Sequence, residues 1–386
     1  MTFYGYRRPD GRVGVRNKVL ILPASVCASD TTRIISQQVV GSVTFNNQLG
    51  CSQVASDQQF TMDVMAGYAA NPNIYGTVVV SLGCENCQMD LVVKAIRERT
   101  NKPIKQVIIQ EAGGTLKAVD IAVRYAKEMV EQASLLQKEE FPISELIIGT
   151  ECGGSDPTSG LAANVLIGQL SDLIVEAGGT SILSETTEFI GAEHILARRA
   201  ATPEVRERIF DIVHRYEKAL QLVGEEVREG NPAPGNKAGG ITTLEEKSLG
   251  CIHKGGHTPV MEVYDYAKQV EAKKGLVIMD TPGNDPSSVA AMVAGGAQVV
   301  VFSTGRGSPT GNPIAPVIKI TGNRITFANM EDNIDVDASP LIYGGDLKQM
   351  GDALLQLVQE VASGRQTKAE SLGYTEMAIA RVCNFV

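Results

Sequence analysis

Positive charge is scarce in this chain. Its 35 lysines and arginines face 44 aspartates and glutamates, for a net charge of −9 and a pI near 5.2. That balance repels nucleic-acid backbones and anionic lipid, and no basic run with interleaved aromatics offsets it. No apolar run reaches about 18 residues, so nothing reads as a membrane span. Met1-Thr2-Phe3-Tyr4-Gly5-Tyr6-Arg7-Arg8 has no apolar stretch behind its charges, so no secretory signal is expected. The chain lacks a Gly-x-x-x-x-Gly-Lys-Ser/Thr phosphate loop. It also lacks a Gly-x-Gly-x-x-Gly dinucleotide fingerprint after the first strand. Low-complexity segments and short repeats are missing too. The cysteines number seven, an odd count that points to a reducing cytoplasm. Thiols there are metal ligands, nucleophiles or core filler.

What is present is a regular alternation. Short runs rich in Val and Ile fall at 19–22, 43–45, 77–80, 107–109, 146–148, 181–183, 276–279, 299–302 and 317–320. They show little in-out alternation, as parallel strands covered on both faces do. Amphipathic helical segments lie between them, at 118–137, 203–223, 287–294 and 346–362. The expectation is an α/β fold, doubly wound, with mostly parallel sheets in two domains. The stretch 225–257 is dense in Gly and Pro and reads as a long loop system. It sets an expected boundary near residue 235, dividing the chain into 1–235 and 236–386.

Three cysteines stand in glycine turns that follow strands: Cys51 after Gly50, Cys84 after Gly83, and Cys152 before Gly153-Gly154. Such turns bring side chains to the rim of a sheet, where ligands bind in open α/β proteins. Three thiolates at one rim suggest a metal, iron foremost, as Fe2+ or an iron–sulfur cluster; another divalent metal is an alternative. The spacing fits no zinc finger. Small buried residues at tight strand ends are the other reading. Cys84-x-x-Cys87 could also be a redox pair.

Glycine turns that open helices suit a carboxylate, which selects Ser155 and Asp156 after Gly153-Gly154, and Gly114 and Thr115. Arg306, between Gly305 and Gly307, can grip a carboxylate with a bidentate fork. Lys237, Lys247 and Lys254 supply further cations that could grip carboxylates, or a base if desolvation lowers a pKa. Base candidates are His194, His257 and Glu185. His253 and His257 flank Lys254 in the glycine-rich stretch.

Several segments together resemble the altronate and galactarate dehydratase family. They include Gly5-Tyr6-Arg7-Arg8-Pro9-Asp10-Gly11-Arg12, Leu82-Gly83-Cys84-Glu85, Cys152-Gly153-Gly154-Ser155-Asp156, Ser184-Glu185-Thr186, Glu246-Lys247-Ser248-Leu249-Gly250, Met279-Asp280-Thr281-Pro282-Gly283 and Thr304-Gly305-Arg306-Gly307. The likeness runs from Gly5 to about Gly345. The large subunit of sulfolactate sulfo-lyase looks like the same family. The resemblance implies a cytoplasmic, metal-dependent lyase that acts on a 2-hydroxycarboxylic acid by β-elimination, as a sugar-acid dehydratase does. A sulfo-lyase large subunit releasing sulfite is the alternative, and a non-catalytic binding subunit is the alternative of another class. Family dehydratases usually begin with a small extra domain, so a separate small subunit and a homo- or hetero-oligomer are implied. The sugar-acid enzymes tend to carry a histidine just before Gly50-Cys51, where this chain has Asn46-Asn47-Gln48-Leu49.

Overall fold

The structure, a computed structural model, describes residues 1–270 and 274–386. Its backbone is organised by three sheets. The N-terminal strand β1 (Thr2–Arg7) lies between β2 (Val13–Gly14) and β7 (Glu139–Pro142) in a small antiparallel sheet. A parallel sheet of order β4-β3-β5-β6 follows, made of β3 (Lys18–Pro23), β4 (Ser42–Val43), β5 (Ile74–Ser81) and β6 (Ile104–Ile108).

The third sheet is larger and also parallel. It comprises β8 (Ile147–Cys152), β9 (Thr180–Leu183), β10 (Val260–Tyr264), β11 (Gly275–Met279), β12 (Val299–Ser303), β13 (Val317–Thr321) and β14 (Val336–Asp337). Their order is β10-β11-β9-β8-β12-β13-β14. Alternate residues of β12 enter different cores. Val300 and Phe302 pack with the helix Asp285–Ala294, while Val299 and Val301 pack with the helices Asn164–Glu176 and Leu347–Ala362. Both faces are therefore covered, which is why these strands read as continuous apolar runs. The expected α/β fold is what the chain forms.

The expected division at residue 235 does not follow the sheets. β8 and β9 precede it, yet they pair with β12 and β11, which follow it. The break between the two parallel sheets lies instead between the helix Thr115–Ser134 and β8. A parallel pair is joined by a crossover of any length, so a change in composition along the connection marks no domain edge.

The stretch 225–257 is not an open loop either. It folds into the short helices Val227–Gly230 and Pro234–Gly239, the helix Leu244–Ile252, and a tight turn at His253–Gly255. Two of its features explain the glycines. A side chain on Gly160 would lie 3.0 Å from the Gly250 Cα, and one on Gly168 would lie 2.1 Å from the His253 carbonyl oxygen. Glycine here permits close packing of the Leu244–Ile252 helix against its neighbours.

The two parallel sheets are tied together by side-chain amides. Asn71 donates to the carbonyls of Val293 and Ala297 at 2.8 and 2.9 Å, and Asn73 donates to Gln298 at 2.9 Å. In the larger sheet β8 leads to β9 on one side, whereas β12 lies on the other. The order in which strands are added thus reverses between β8 and β12, the position where open α/β sheets bind ligands beyond their strand ends.

Candidate active site

The carboxyl end of β8 places Glu151 and Cys152 on opposite faces of the sheet, as successive strand residues must be. Glu185 follows β9 with φ of 72°, a left-handed conformation that a glutamate rarely adopts. Its backbone N–H donates to Thr281 Oγ1 at 2.7 Å, which holds the turn. Strain of this kind collects at functional positions.

On the Cys152 face, Lys254 is fully buried and ion-paired with Glu185. Its Nζ also donates to Cys152 Sγ at 3.2 Å, while the Cys152 N–H donates to Glu185 Oε2 at 2.9 Å. Lys247, Cys251 and Lys254 recur at helical spacing along Leu244–Ile252 and the turn after it, so one face of that segment delivers all three. Lys247 pairs with Glu188, both nearly buried.

On the other face, Glu151 Oε2 accepts from Ser184 Oγ at 3.0 Å and from Ser288 Oγ at 2.6 Å. Asp285, at the start of the helix Asp285–Ala294, packs against Gly153, where a Cβ would lie 1.9 Å from its carboxylate. Lys319, in the middle of β13, is buried beside Phe302.

The electrostatics follow from burial and neighbours. Burial alone would lower the Lys247 pKa, but the Glu188 carboxylate more than reverses this and keeps the ammonium charged. Burial likewise opposes the charge of Lys254, and Cys152, Cys251, Glu185 and Glu151 outweigh it. The hydrogen bond with Cys251, then burial, push the Cys152 thiol well up. Burial and the nearby Glu185 charge raise Glu151 strongly and Asp285 to about 6. His253 is lowered by burial and then by His257, so it is a neutral imidazole at neutral pH.

A cleft of about 260 Å³ opens on the Cys152 face. Cys152, Ser155, Asp156, Asn164, Lys247 and His253 line it. The Ser155 hydroxyl is buried there without a hydrogen-bond partner. The Asp156 carboxylate is already engaged, by Thr158 Oγ1 at 2.5 Å and Asn323 Nδ2 at 2.8 Å. The wall thus offers an ammonium paired with Glu188, one free hydroxyl and one imidazole, beside the carboxylates of Asp156 and Glu246.

The sequence-predicted residues separate accordingly. Ser155, Asp156, Lys247 and Cys152 line the cleft, and Glu185 stands directly behind Cys152. Arg306 is not part of the lining; its N–H donates to Gly154 O at 2.8 Å and its exposed side chain passes at the rim beside Gly239. Lys237 is exposed on Pro234–Gly239, also outside the lining. Gly114 and Thr115 open a helix on the four-stranded sheet and do not reach the cleft. His194 is exposed on a short helix. The His257 side chain is 88% exposed and bonded through Nδ1 to Asp172 at 2.8 Å. The histidine in the cleft lining is His253 instead, itself an exposed residue at the cleft mouth. Lys254, expected as one of the carboxylate-gripping cations, is instead fully buried behind the cleft on Cys152 and Glu185, and Cys251, Asp285 and Lys319 had no assigned role. A lysine inside the apolar run Val317-Ile318-Lys319-Ile320 was the visible signal for the last.

The cysteine trio does not gather around one ion. A shared ion with metal–sulfur bonds of about 2.3 Å holds its thiolates within roughly 4.6 Å of each other. Cys51, Cys84 and Cys152 form no such group. Cys152 stands with Cys251 and Glu185, and Cys51 lies near Cys87. Two sets among the described residues do bring three ligand atoms within 4.8 Å, Cys152–Glu185–Cys251 and Glu151–Glu185–Asp285. Ammonium groups already answer both sets. Lys254 bonds Cys152 and Glu185, and Lys319 faces Asp285 and Glu151. As the side chains stand, Cys51, Cys84 and Cys152 do not hold one ion in common.

Comparison with known proteins agrees with this architecture. Residues 5–134 match the family described as D-galactarate dehydratase/altronate hydrolase, second domain, and residues 143–384 match D-galactarate/altronate dehydratase, C-terminal. The two segments meet where the parallel sheets divide. The chain is 36% identical to altronate dehydratase of Bacillus subtilis, over 98% of this chain and 77% of the relative. It is 36% identical to (2R)-sulfolactate sulfo-lyase subunit beta of Chromohalobacter salexigens, over 99% of this chain and 97% of the relative. Galactarate dehydratase (L-threo-forming) of Escherichia coli is 33% identical, over 95% of this chain and 73% of the relative.

Proposed function

The chain belongs to the D-galactarate/altronate dehydratase family, and from that premise we propose that it is a lyase performing β-elimination on a small 2-hydroxycarboxylic acid. The observation that carries this reading is the cleft wall, where a charged, nearly buried Lys247 stands with the neutral His253.

The substrate carboxylate binds against Lys247, with the free Ser155 hydroxyl as a further donor. His253 removes the proton on the carbon next to the carboxylate, and charge develops on the carboxylate oxygens as an enediolate. Lys247 stabilises that charge, which is usually the largest catalytic contribution. The β-substituent then departs with the electron pair of its bond to carbon; a hydroxyl takes the proton held by His253 as it leaves and departs as water. The enol left behind takes up a proton on carbon, releases the proton of its 2-hydroxyl and becomes a 2-oxo acid. Lys254 does not touch substrate; it fixes Cys152 and Glu185 behind the wall. Lys247 thereby supplies the positive charge that a metal was expected to bring.

Water as leaving group corresponds to sugar-acid dehydration, the activity named for the altronate and galactarate relatives. Sulfite as leaving group corresponds to the activity named for the sulfo-lyase subunit, to which the chain is equally similar. That reading brings a separate small subunit as partner. The test is an assay on altronate, galactarate and (2R)-sulfolactate, for the chain alone and with a small subunit, following 2-oxo acid and sulfite. Turnover of one substrate that vanishes in Lys247→Met supports the proposal. Full turnover in Lys247→Met removes it.

A further inference from the structure

Lys319 has no place in the chemistry above, yet it is the least comfortable residue in the molecule. It interrupts the apolar strand β13 and is buried to 0% exposure. Its Nζ has no hydrogen-bond partner and sits 3.2 Å from the centroid of the Phe302 ring. A lysine this deep costs stability unless it is paired, and a ring face returns only part of that. Sheet register shows what it faces. Phe302 is the partner of Glu151 on β8 and of Lys319 on β13, so the three side chains form one row on the same face. Glu151 Oε1 in that row also lacks a partner. The charged groups around Lys319 are Asp285 from the Asp285–Ala294 helix, Glu151 from β8, Glu376 from the C-terminal segment and Asp335 from the turn before β14. Glu151 and Asp285 lie within 4.8 Å of Glu185, which holds Lys254 and the Cys152 turn of the cleft.

We propose that Lys319 is a positioning residue of the elimination, a buried amine that balances the Glu151–Asp285 carboxylates behind the cleft and through Glu185 keeps the Lys254–Cys152 wall in place. Four carboxylates, Glu151, Glu185, Glu188 and Asp285, share this interior with Lys247, Lys254 and Lys319, and burial raises Glu151 and Asp285 toward their neutral forms. Burial, the largest influence on it, brings Lys319 down to about 7, so its charge varies in the range where the carboxylates beside it also titrate. The inference rests on the proposed elimination, but half of its test does not.

The test compares wild type with Lys319→Met, which fills the same space without charge, and with Lys319→Arg. The first readout is the melting midpoint from pH 6 to pH 10, without substrate. The folded pKa is below the unfolded one, so the unfolded chain binds more protons and wild type gains stability as pH rises from about 7 toward about 10. Lys319→Met is expected to melt at or above the wild-type temperature near pH 6 to 7, with the difference narrowing as pH rises. The second readout is turnover near pH 7. Lys319→Met is expected to lose at least tenfold in kcat with KM within about twofold, and Lys319→Arg to recover part of the loss. A Lys319→Met protein that melts lower than wild type at every pH, or that is equally active, overturns the proposal. Should that variant not fold, Asp285→Asn carries the test. It removes the partner that favours the charged lysine, so the stability gain with pH begins lower than in wild type; an unchanged onset overturns the proposal. If the pH behaviour appears but no 2-hydroxy acid is turned over, the proposed reaction fails and the positioning role in it fails too, while the titrating lysine remains.

Discussion

The two parallel sheets end in turns written in nearly the same residues, and only one of those rims is chemically equipped. The four-stranded sheet offers Gly83-Cys84-Glu85, and the seven-stranded sheet offers Glu151-Cys152-Gly153. In the first, Glu85 turns inward and accepts the Leu82 and Gly83 N–H groups at 2.8 and 2.6 Å, with Ser25 Oγ at 3.3 Å. That carboxylate closes a turn. Cys84 is exposed, and Cys87 is pushed up to about 12 by burial and then by Glu85, so it is inert as a nucleophile. In the second, three lysines from two other parts of the chain converge on the carboxylates. A glycine–cysteine turn is therefore a way of ending a parallel strand. Chemistry appears where distant segments bring unlike charge to it.

The largest effect is expected from breaking the equipped rim at its centre. Lys254→Met leaves Glu185 buried without a counter-charge, which should cost about 3–5 kcal/mol by chemical denaturation and abolish turnover. His253→Asn should reduce kcat by about 10²–10⁴-fold, the usual contribution of a general base, measured at saturating substrate. The sign of its pH dependence is fixed by its lowered pKa. The imidazole is free to accept a proton at neutral pH, and wild-type turnover should fall as pH drops below the ordinary histidine range. His257→Asn should keep turnover, since His257 lies outside the cleft lining, but move that limb to higher pH, because His257 helps lower His253. Lys247→Met should lower kcat by about 10²–10³-fold, the loss expected from removing one donor to developing charge.

The other rim should answer in stability alone. Glu85→Gln weakens a charge-assisted set of turn hydrogen bonds and should cost about 1–3 kcal/mol, with turnover near wild type in the surviving folded protein. Smallest of all, Cys84→Ser changes an exposed side chain and should shift stability by no more than about 0.5 kcal/mol. Loss of turnover in Cys84→Ser, together with loss of protein-bound iron by elemental analysis, would restore a metal to that rim and reverse the comparison.

Much of the scaffold was written locally. All nine apolar runs are strands of the two parallel sheets, and the four long amphipathic segments are helices within a few residues of where their periodicity puts them. A strand buried on both faces must be apolar throughout, and an amphipathic helix must repeat with its own turn, so both leave a mark in their own few residues. The edge strands β10 and β14 and the antiparallel β1–β2–β7 sheet carry no such mark, because an exposed edge tolerates mixed residues. Ser155, Asp156, Glu185, Lys247 and Cys152 were legible at the site because each follows a strand or sits in a helix-opening turn. Lys254 was legible as a cation but not as a buried one, and Cys251 only as a member of a glycine-rich stretch, since nothing local distinguishes a loop from a helix pressed against glycines.

By itself, then, the order of residues determined the layering of strands and helices and marked β8 as a strand ending in reactive side chains. Which thiol meets which lysine, which histidine faces the cleft, and whether a carboxylate closes a turn or joins a charged cluster were decided only when β12 and β13 were laid beside β8. The physical reason is range. Strand and helix formation depend on neighbours a few positions away, whereas the charge state of a buried group depends on whatever the fold sets against it, however far off along the chain.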